Sequence, residues 1–214
     1  MNVQLKNYKN LPLVVLLIIG FSWSLARPVV GEDLGTFLTG FLITLLLFGS
    51  AGLKNLFKKM HAPIWFTFFV FVMMKLFDGF YMMIVSAATG NHHLFEHVST
   101  HNFAHLHRLP EKLWWAGQFL FSAINEELLM IPIVLTMYIL LKRTATGWYM
   151  ASFLSSIFFA YLHYTVYAMN VWLVIGLIIN RLVLNEPFRL TNSLRTPMCV
   201  HFLNDAVGIL GWML

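Results

Sequence analysis

Apolar residues fill seven stretches of the chain almost without interruption: Leu11–Ala26, Leu34–Leu53, Ile64–Ala88, Leu113–Leu141, Gly147–Tyr167, Val171–Leu184 and Pro197–Leu214. A helix needs roughly 20 residues to cross a hydrocarbon core of about 30 Å, and most of these runs are of that order. They predict an all-α, polytopic transmembrane bundle of about six to eight helices around a polar intramembrane cavity, with residues 1–214 forming a single transmembrane domain. The first and sixth runs are short, so six helices and one re-entrant piece fit the pattern too. Lys6 and Lys9 ahead of the first run, with Ser24-Leu25-Ala26 behind it, imitate a signal peptide. A second hydrophobic run follows directly, which favours keeping the first as a helix of the bundle.

Composition agrees with the pattern. The chain is 59% hydrophobic and 11% charged, too apolar for a water-soluble surface. The formal net charge of +5 follows the polar segments. Lys6, Lys9, Lys54, Lys58, Lys59, Lys142, Arg143, Arg181, Arg189 and Arg195 fall on one side of the predicted membrane, and Arg27, Arg108 and Lys112 on the other. The excess of positive charge on that side predicts a cytoplasmic N-terminus for this multi-pass protein. The basic charge has a partner in the lipid bilayer and asks for no nucleic acid. Cys199 is the one cysteine, so no intramolecular disulfide forms.

Against this background Glu126 and Glu127 stand out, in the middle of an apolar run. An ionisable group at mid-depth costs about 2.5–3.5 kcal/mol on the insertion scale, which suggests a task. The bland alternative is a pair near a helix end, snorkelling toward water. Neighbouring helical residues point about 100° apart, so only one of the two faces a cavity squarely. Two other runs carry similar residues. Phe159 and His163 share a helical face at i, i+4, as do His201 and Asp205, with Asn204 beside them. A single intramembrane histidine is commonly a helix-to-helix hydrogen bond. Carboxylates and imidazoles on three helices supply the parts for activating a water and steadying an oxyanion.

This order of motifs resembles the intramembrane proteases that include the type II CAAX prenyl endopeptidases and the bacteriocin-processing and immunity relatives, the CPBP or Abi family. Their pattern is EExxxR, then FxxxH, then HxxxN or HxxxD, each on its own helix. Here Glu126-Glu127, Phe159 with His163, and His201 with Asp205 match it, and Leu190-Thr191-Asn192-Ser193-Leu194 resembles the entry to the last motif helix. The motif-bearing part is about residues 113–214. The resemblance implies an endopeptidase, in a bacterial cell membrane, acting on a membrane-embedded, membrane-associated or lipidated protein or peptide. Glu126 would deprotonate a water that His163 helps to hold, with Glu127 supporting. His201 and Asp205 would position the substrate carbonyl or stabilise its oxyanion, and Phe159 and Asn204 would support them. These groups need no cofactor for that chemistry. Equally, Glu126, His163, His201 and Asp205 have the donor atoms for one divalent metal, zinc suiting them best. The rival readings are a non-catalytic immunity or scaffold protein of the same fold, and a metal or proton transporter.

Ile131 stands where the pattern has arginine, which favours the non-catalytic rival. Lys75 and Arg181 are the cations within spans that could replace it, although Lys75 has Asp78 three residues along its own helix. The predicted spans also place His163 and His201 at different depths. A last helix beginning near Asn192, or a re-entrant sixth segment, would bring them level. Finally, six of the nine histidines, at positions 92, 93, 97, 101, 105 and 107, lie in one polar loop. His97, His101 and His105 step by four and could bind a transition metal; an amphipathic interfacial helix with solvated histidines accounts for them as well.

Overall fold

A computed structural model describes residues 5–25, 32–60, 64–91, 105–163 and 170–213. Seven α-helices lie among them: α1 (Leu11–Leu25), α2 (Glu32–Leu56), α3 (Ile64–Thr89), α4 (Leu109–Leu140), α5 (Ala145–Leu162), α6 (Val171–Thr191) and α7 (Arg195–Met213). The fold is an all-α bundle, and α2, α3, α4 and α6 include stretches long and apolar enough to cross a membrane. The chain is a membrane protein.

The central helix is α4, which packs against α2, α5 and α7. Its 32 residues span about 48 Å at 1.5 Å per residue. From Glu127 to Thr136 it is buried throughout, with Leu128, Leu129, Ile131 and Val134 in a core shared with Ile43 and Leu47 of α2, Trp148 of α5 and Phe188 of α6. By contrast α3 is peripheral. Ile64, Trp65, Phe68 and Phe69 are exposed, as residues facing lipid should be where no aqueous solvent penalises them.

Close approach of α2 to α4 depends on one residue. A Cβ at Gly40 would lie 2.9 Å from the backbone of Leu128 and Leu129. Farther along, α2 breaks at Gly49, whose φ of 69° is strained for any residue with a Cβ. The break frees carbonyls that a continuous helix would pair. Asn10 Nδ2 donates to the carbonyl of Leu46 at 2.9 Å and the Lys6 amide to that of Leu47 at 2.9 Å, so the N-terminal segment is held by the hydrogen bonds the break makes available.

Two boundaries differ from the hydrophobic pattern in a way that shapes the site. The sixth helix is not the short run ending at Leu184; it continues to Thr191. Asn185, Glu186 and Pro187 interrupt the apolar pattern, yet Asn185 pairs with Arg181, and Glu186 accepts from the Trp148 indole at 2.8 Å and from Arg189. The seventh starts at Arg195, ahead of the expected Pro197. The turn between them is buried inside the bundle, with Thr191, Ser193, Leu194 and Thr196 all inaccessible. Irregular backbone is tolerated there only if its polar groups are met. Asn192, in the left-handed conformation, donates to Phe188 O; the Leu194 amide donates to Leu56 O at 2.8 Å, and Ser193 Oγ to Lys58 O at 2.7 Å. Sinking the turn brings the first turns of α7 down to the level of the glutamates, which removes the depth mismatch.

Gly40→Ala should destabilise the protein by about 1–3 kcal/mol, because the added methyl meets backbone that cannot rotate away. Gly35→Ala, with nothing within 4 Å of its Cβ position, is the control and should unfold at or slightly above the wild-type midpoint, since alanine favours a helix over glycine. Thermal unfolding in detergent compares them; equal midpoints for both variants would refute the contact.

Candidate active site

Glu127 points into the bundle and is wholly inaccessible. A carboxylate in such a place survives as an ion only when its oxygens are met. Arg181 of α6, also fully buried, meets both: Nη1 donates to Oε1, and Nη2 to Oε2 at 3.0 Å. Two of the three remaining guanidinium hydrogens are used too. Asn185, one turn along α6, accepts from Nε at 3.2 Å and from Nη2 at 3.0 Å. The Phe159 ring of α5 lies 5.3 Å from the Arg181 Cζ. Such a planar, two-pronged pairing is what arginine offers and lysine does not. The cation that the motif pattern places one turn after the glutamates thus comes from α6, while Ile131 is packed in the apolar core. Lys75 pairs with Asp78 at 3.7 Å, as their spacing suggested, and Asp78 takes a further hydrogen bond from Asn180.

Glu127 also orients α7. His201 Nδ1 lies 2.9 Å from Glu127 Oε1. An ionised carboxylate only accepts, so Nδ1 carries the proton and Nε2 is turned toward Glu126. His163, at the C-cap of α5, is fixed in the same sense. Its Nδ1 donates to the carbonyl of Phe159 at 2.8 Å, and its ring packs on the Phe159 ring with centroids 4.2 Å apart. Its Nε2 therefore also faces Glu126.

The two glutamates have different surroundings. Glu126 is partly exposed, and its Oε1 accepts from Ser122 Oγ at 3.2 Å. Its Oε2 is buried and has no hydrogen-bond partner. It stands 3.8 Å from His163 Nε2 and 3.8 Å from His201 Nε2. Asp205 Oδ2 lies another 3.8 Å from His201 Nε2, and Asn204 Nδ2 donates to Asp205 Oδ1 at 3.3 Å. Glu126, Glu127, Phe159, His163, His201, Asn204 and Asp205 therefore gather from three helices into one cluster. Ser122 and Asn185 were not singled out in the sequence. Their signal is the i, i+4 spacing to Glu126 and Arg181, which is easily passed over for short polar side chains.

The metal-ligand expectation gains no support from this geometry. Among the described residues no group of three or more His, Cys, Asp or Glu side chains is placed to hold a metal ion. Donors on a tetrahedral zinc, at about 2.0–2.1 Å from the ion, are about 3.3 Å apart. The pairs here are wider, at 3.8 Å. The histidine-loop expectation falls largely on residues 92–104, outside those described.

Comparison with known proteins agrees with the motifs. Residues 108–207 match the family profile described as Type II CAAX prenyl endopeptidase Rce1-like. This segment, just under half of the chain, runs from the start of α4 past Asp205 and includes every residue of the cluster. No curated protein and no solved structure matches the chain.

Removing the buried cation tests the geometry. Arg181→Leu leaves Glu127 unpaired and should destabilise the protein by about 3–5 kcal/mol. Ile131→Arg alone should also destabilise, since it buries a second cation in an apolar core. Combined, the two should recover part of the loss, because an arginine one turn after Glu127 can reach the carboxylate that Arg181 has vacated. Unfolding midpoints in detergent measure all three. A double variant no more stable than Arg181→Leu would show that position 131 cannot supply the charge.

Proposed function

We propose that the protein is an intramembrane endopeptidase that hydrolyses a peptide bond of a membrane-associated or lipidated protein or peptide, with a water activated by Glu126. One observation carries this reading: the partnerless Glu126 Oε2 faces two imidazole nitrogens at equal distances of 3.8 Å. A gap of that size between polar atoms is too long for a direct hydrogen bond and suits a bridging water.

The environments divide the work. Both oxygens of Glu127 are held by Arg181, and one also by His201, so Glu127 orients and does not accept a substrate proton. Glu126 keeps a free lone pair. It takes a proton from a water that also donates to His163 Nε2, and the hydroxide attacks the scissile carbonyl carbon. His201, as imidazolium between Glu127 and Asp205, donates its Nε2–H to the oxyanion. When the tetrahedral intermediate collapses, the C–N bond breaks and Glu126 returns its proton to the leaving amine. General-base help is worth about 10²–10⁴-fold, and one oxyanion donor about 10²–10³-fold. No step in this scheme needs a metal or other cofactor. The family match supports a protease. Arg181 supports catalytic competence, because it offsets the departure at Ile131 that favoured a non-catalytic relative. The distribution of lysine and arginine favours a cytoplasmic N-terminus and a cytoplasmic α2–α3 junction.

Glu126→Gln should reduce cleavage at least 10²-fold while unfolding like the wild type. Glu127→Gln should lower stability as well as activity, because it removes the partner of a buried arginine. His163→Ala and His201→Ala should each disable the enzyme, and the double variant should be little worse, as for groups acting as one unit. Turnover should survive dialysis against a chelator. Terminal mass spectrometry of substrate proteins from cells making each variant reads cleavage; full processing by Glu126→Gln protein would reject the mechanism.

Topology is tested separately. In a Cys199→Ser background, a cysteine at position 59 should react with an impermeant maleimide only after the membrane is opened, and one at position 107 before. The reverse pattern would invert the orientation.

A further inference from the structure

Lys75 stands midway along α3, a helix long and apolar enough to cross a membrane. A charge at that depth is expensive, and pairing with Asp78 on the same helix accounts for it only in part. Lys75 Nζ stays 3.7 Å from Asp78 Oδ2, beyond ordinary hydrogen-bond length, and an ammonium has three hydrogens to give. Asp78 is itself tied to α6 through Asn180, which fixes where the pair sits.

The pair sits beside the glutamate cluster. Helices α3 and α7 run side by side in the same direction: Ile64 and Phe68 line one cavity with Met198 and Cys199, and farther along Met74 and Val200 share a buried cluster with Leu184 of α6. One helical turn beyond Met74 and Val200 come Asp78 and Asn204, so the pair is level with Asn204 and Asp205. The Lys75 charge accordingly acts on Asp205. Asp205 thus lies between two cationic groups, Lys75 on the α3 side and His201 on its own helix.

That placement bears on the 3.8 Å between Asp205 Oδ2 and His201 Nε2. Nε2 carries the hydrogen that the proposed mechanism delivers to the oxyanion, and Asp205 competes for it. An advance of about 1 Å would close a charge-assisted hydrogen bond and consume that hydrogen. Glu126 Oε2 is equally near but is engaged by the water in that mechanism. Asn204 Nδ2 holds the other Asp205 oxygen at 3.3 Å, and the counter-pull comes from Lys75. We propose that Lys75 is a positioning residue of the active site, drawing Asp205 toward α3 so that the His201 Nε2–H stays free for the substrate oxyanion. This role rests on the proposed mechanism, in which His201 is the oxyanion donor. Asp205 then steadies the imidazolium by charge alone, and the peripheral helix α3 gains a part in catalysis.

The other task open to Lys75 is to neutralise Asp78, and a double replacement separates the two. Lys75→Met alone leaves Asp78 unpaired and should lower the unfolding midpoint; adding Asp78→Asn should restore it. If neutralisation were the whole role, the active site would recover as well. Instead Lys75→Met/Asp78→Asn should release Asp205 onto His201. Full-length protein labelled at its histidine ring nitrogens reports this by magnetic resonance in detergent. The His201 Nε2–H signal, assigned by its loss in His201→Gln, should move downfield in the double variant and keep its wild-type position in Asp78→Asn and Lys75→Arg. Cleavage, read by terminal mass spectrometry, should fall about tenfold in the double variant, part of the roughly 10²–10³-fold that an oxyanion donor supplies. Asp78→Asn and Lys75→Arg should cleave like the wild type. A His201 signal unmoved in the double variant, or wild-type cleavage by it, would overturn the proposal. Full cleavage by Glu126→Gln protein would reject the mechanism separately, while the His201 signal still decides whether Lys75 holds Asp205.

Discussion

A buried carboxylate cannot remain ionised in an apolar bundle unless its oxygens are met, and at Glu127 this requirement organises everything around it. Arg181 takes both oxygens, which ties α6 to α4 through their side chains. His201 shares one of them, which sets α7. Phe159 covers the guanidinium, which brings in α5 and, one turn later, His163. One side chain therefore aligns four helices. Its geometry is strict, because a buried ion pair is tolerable only when well formed on both sides.

Such an arrangement needs helices that come close and a chain that turns inside the bundle. Gly40 allows α2 to touch the α4 backbone immediately after the glutamates. The turn from α6 to α7 is sunk into the protein, and Leu56, Lys58 and Phe188 satisfy it with carbonyls. These contacts have no chemistry of their own. They set the depth at which His201 arrives, and without them the two imidazoles would not share Glu126.

Adjacent carboxylates thereby acquire unlike roles. Glu127 is saturated and rigid, while Glu126, about 100° around the helix, keeps one oxygen without a partner between two nitrogens. On the far flank, between α3, α4 and α7, the structure has a cavity with apolar walls.

Much of this was legible in the chain. Long apolar runs predict membrane helices because a bilayer leaves the backbone few other ways to pair its polar groups. The i, i+4 spacings of Phe159 with His163 and His201 with Asp205 show shared faces because helical geometry is local. Glu126 and Glu127 stood out because charge in an apolar run is expensive. The boundaries of α6 and α7 were not legible, since the polar residues Asn185 and Glu186 read as a helix end until their partners, Arg181 and Trp148, are brought beside them. Nor could the chain choose between Lys75 and Arg181 as the cation replacing the one missing at Ile131. That choice rests on which side chain reaches Glu127 across 54 positions of sequence, a distance closed by the packing of α6 on α5 and α7.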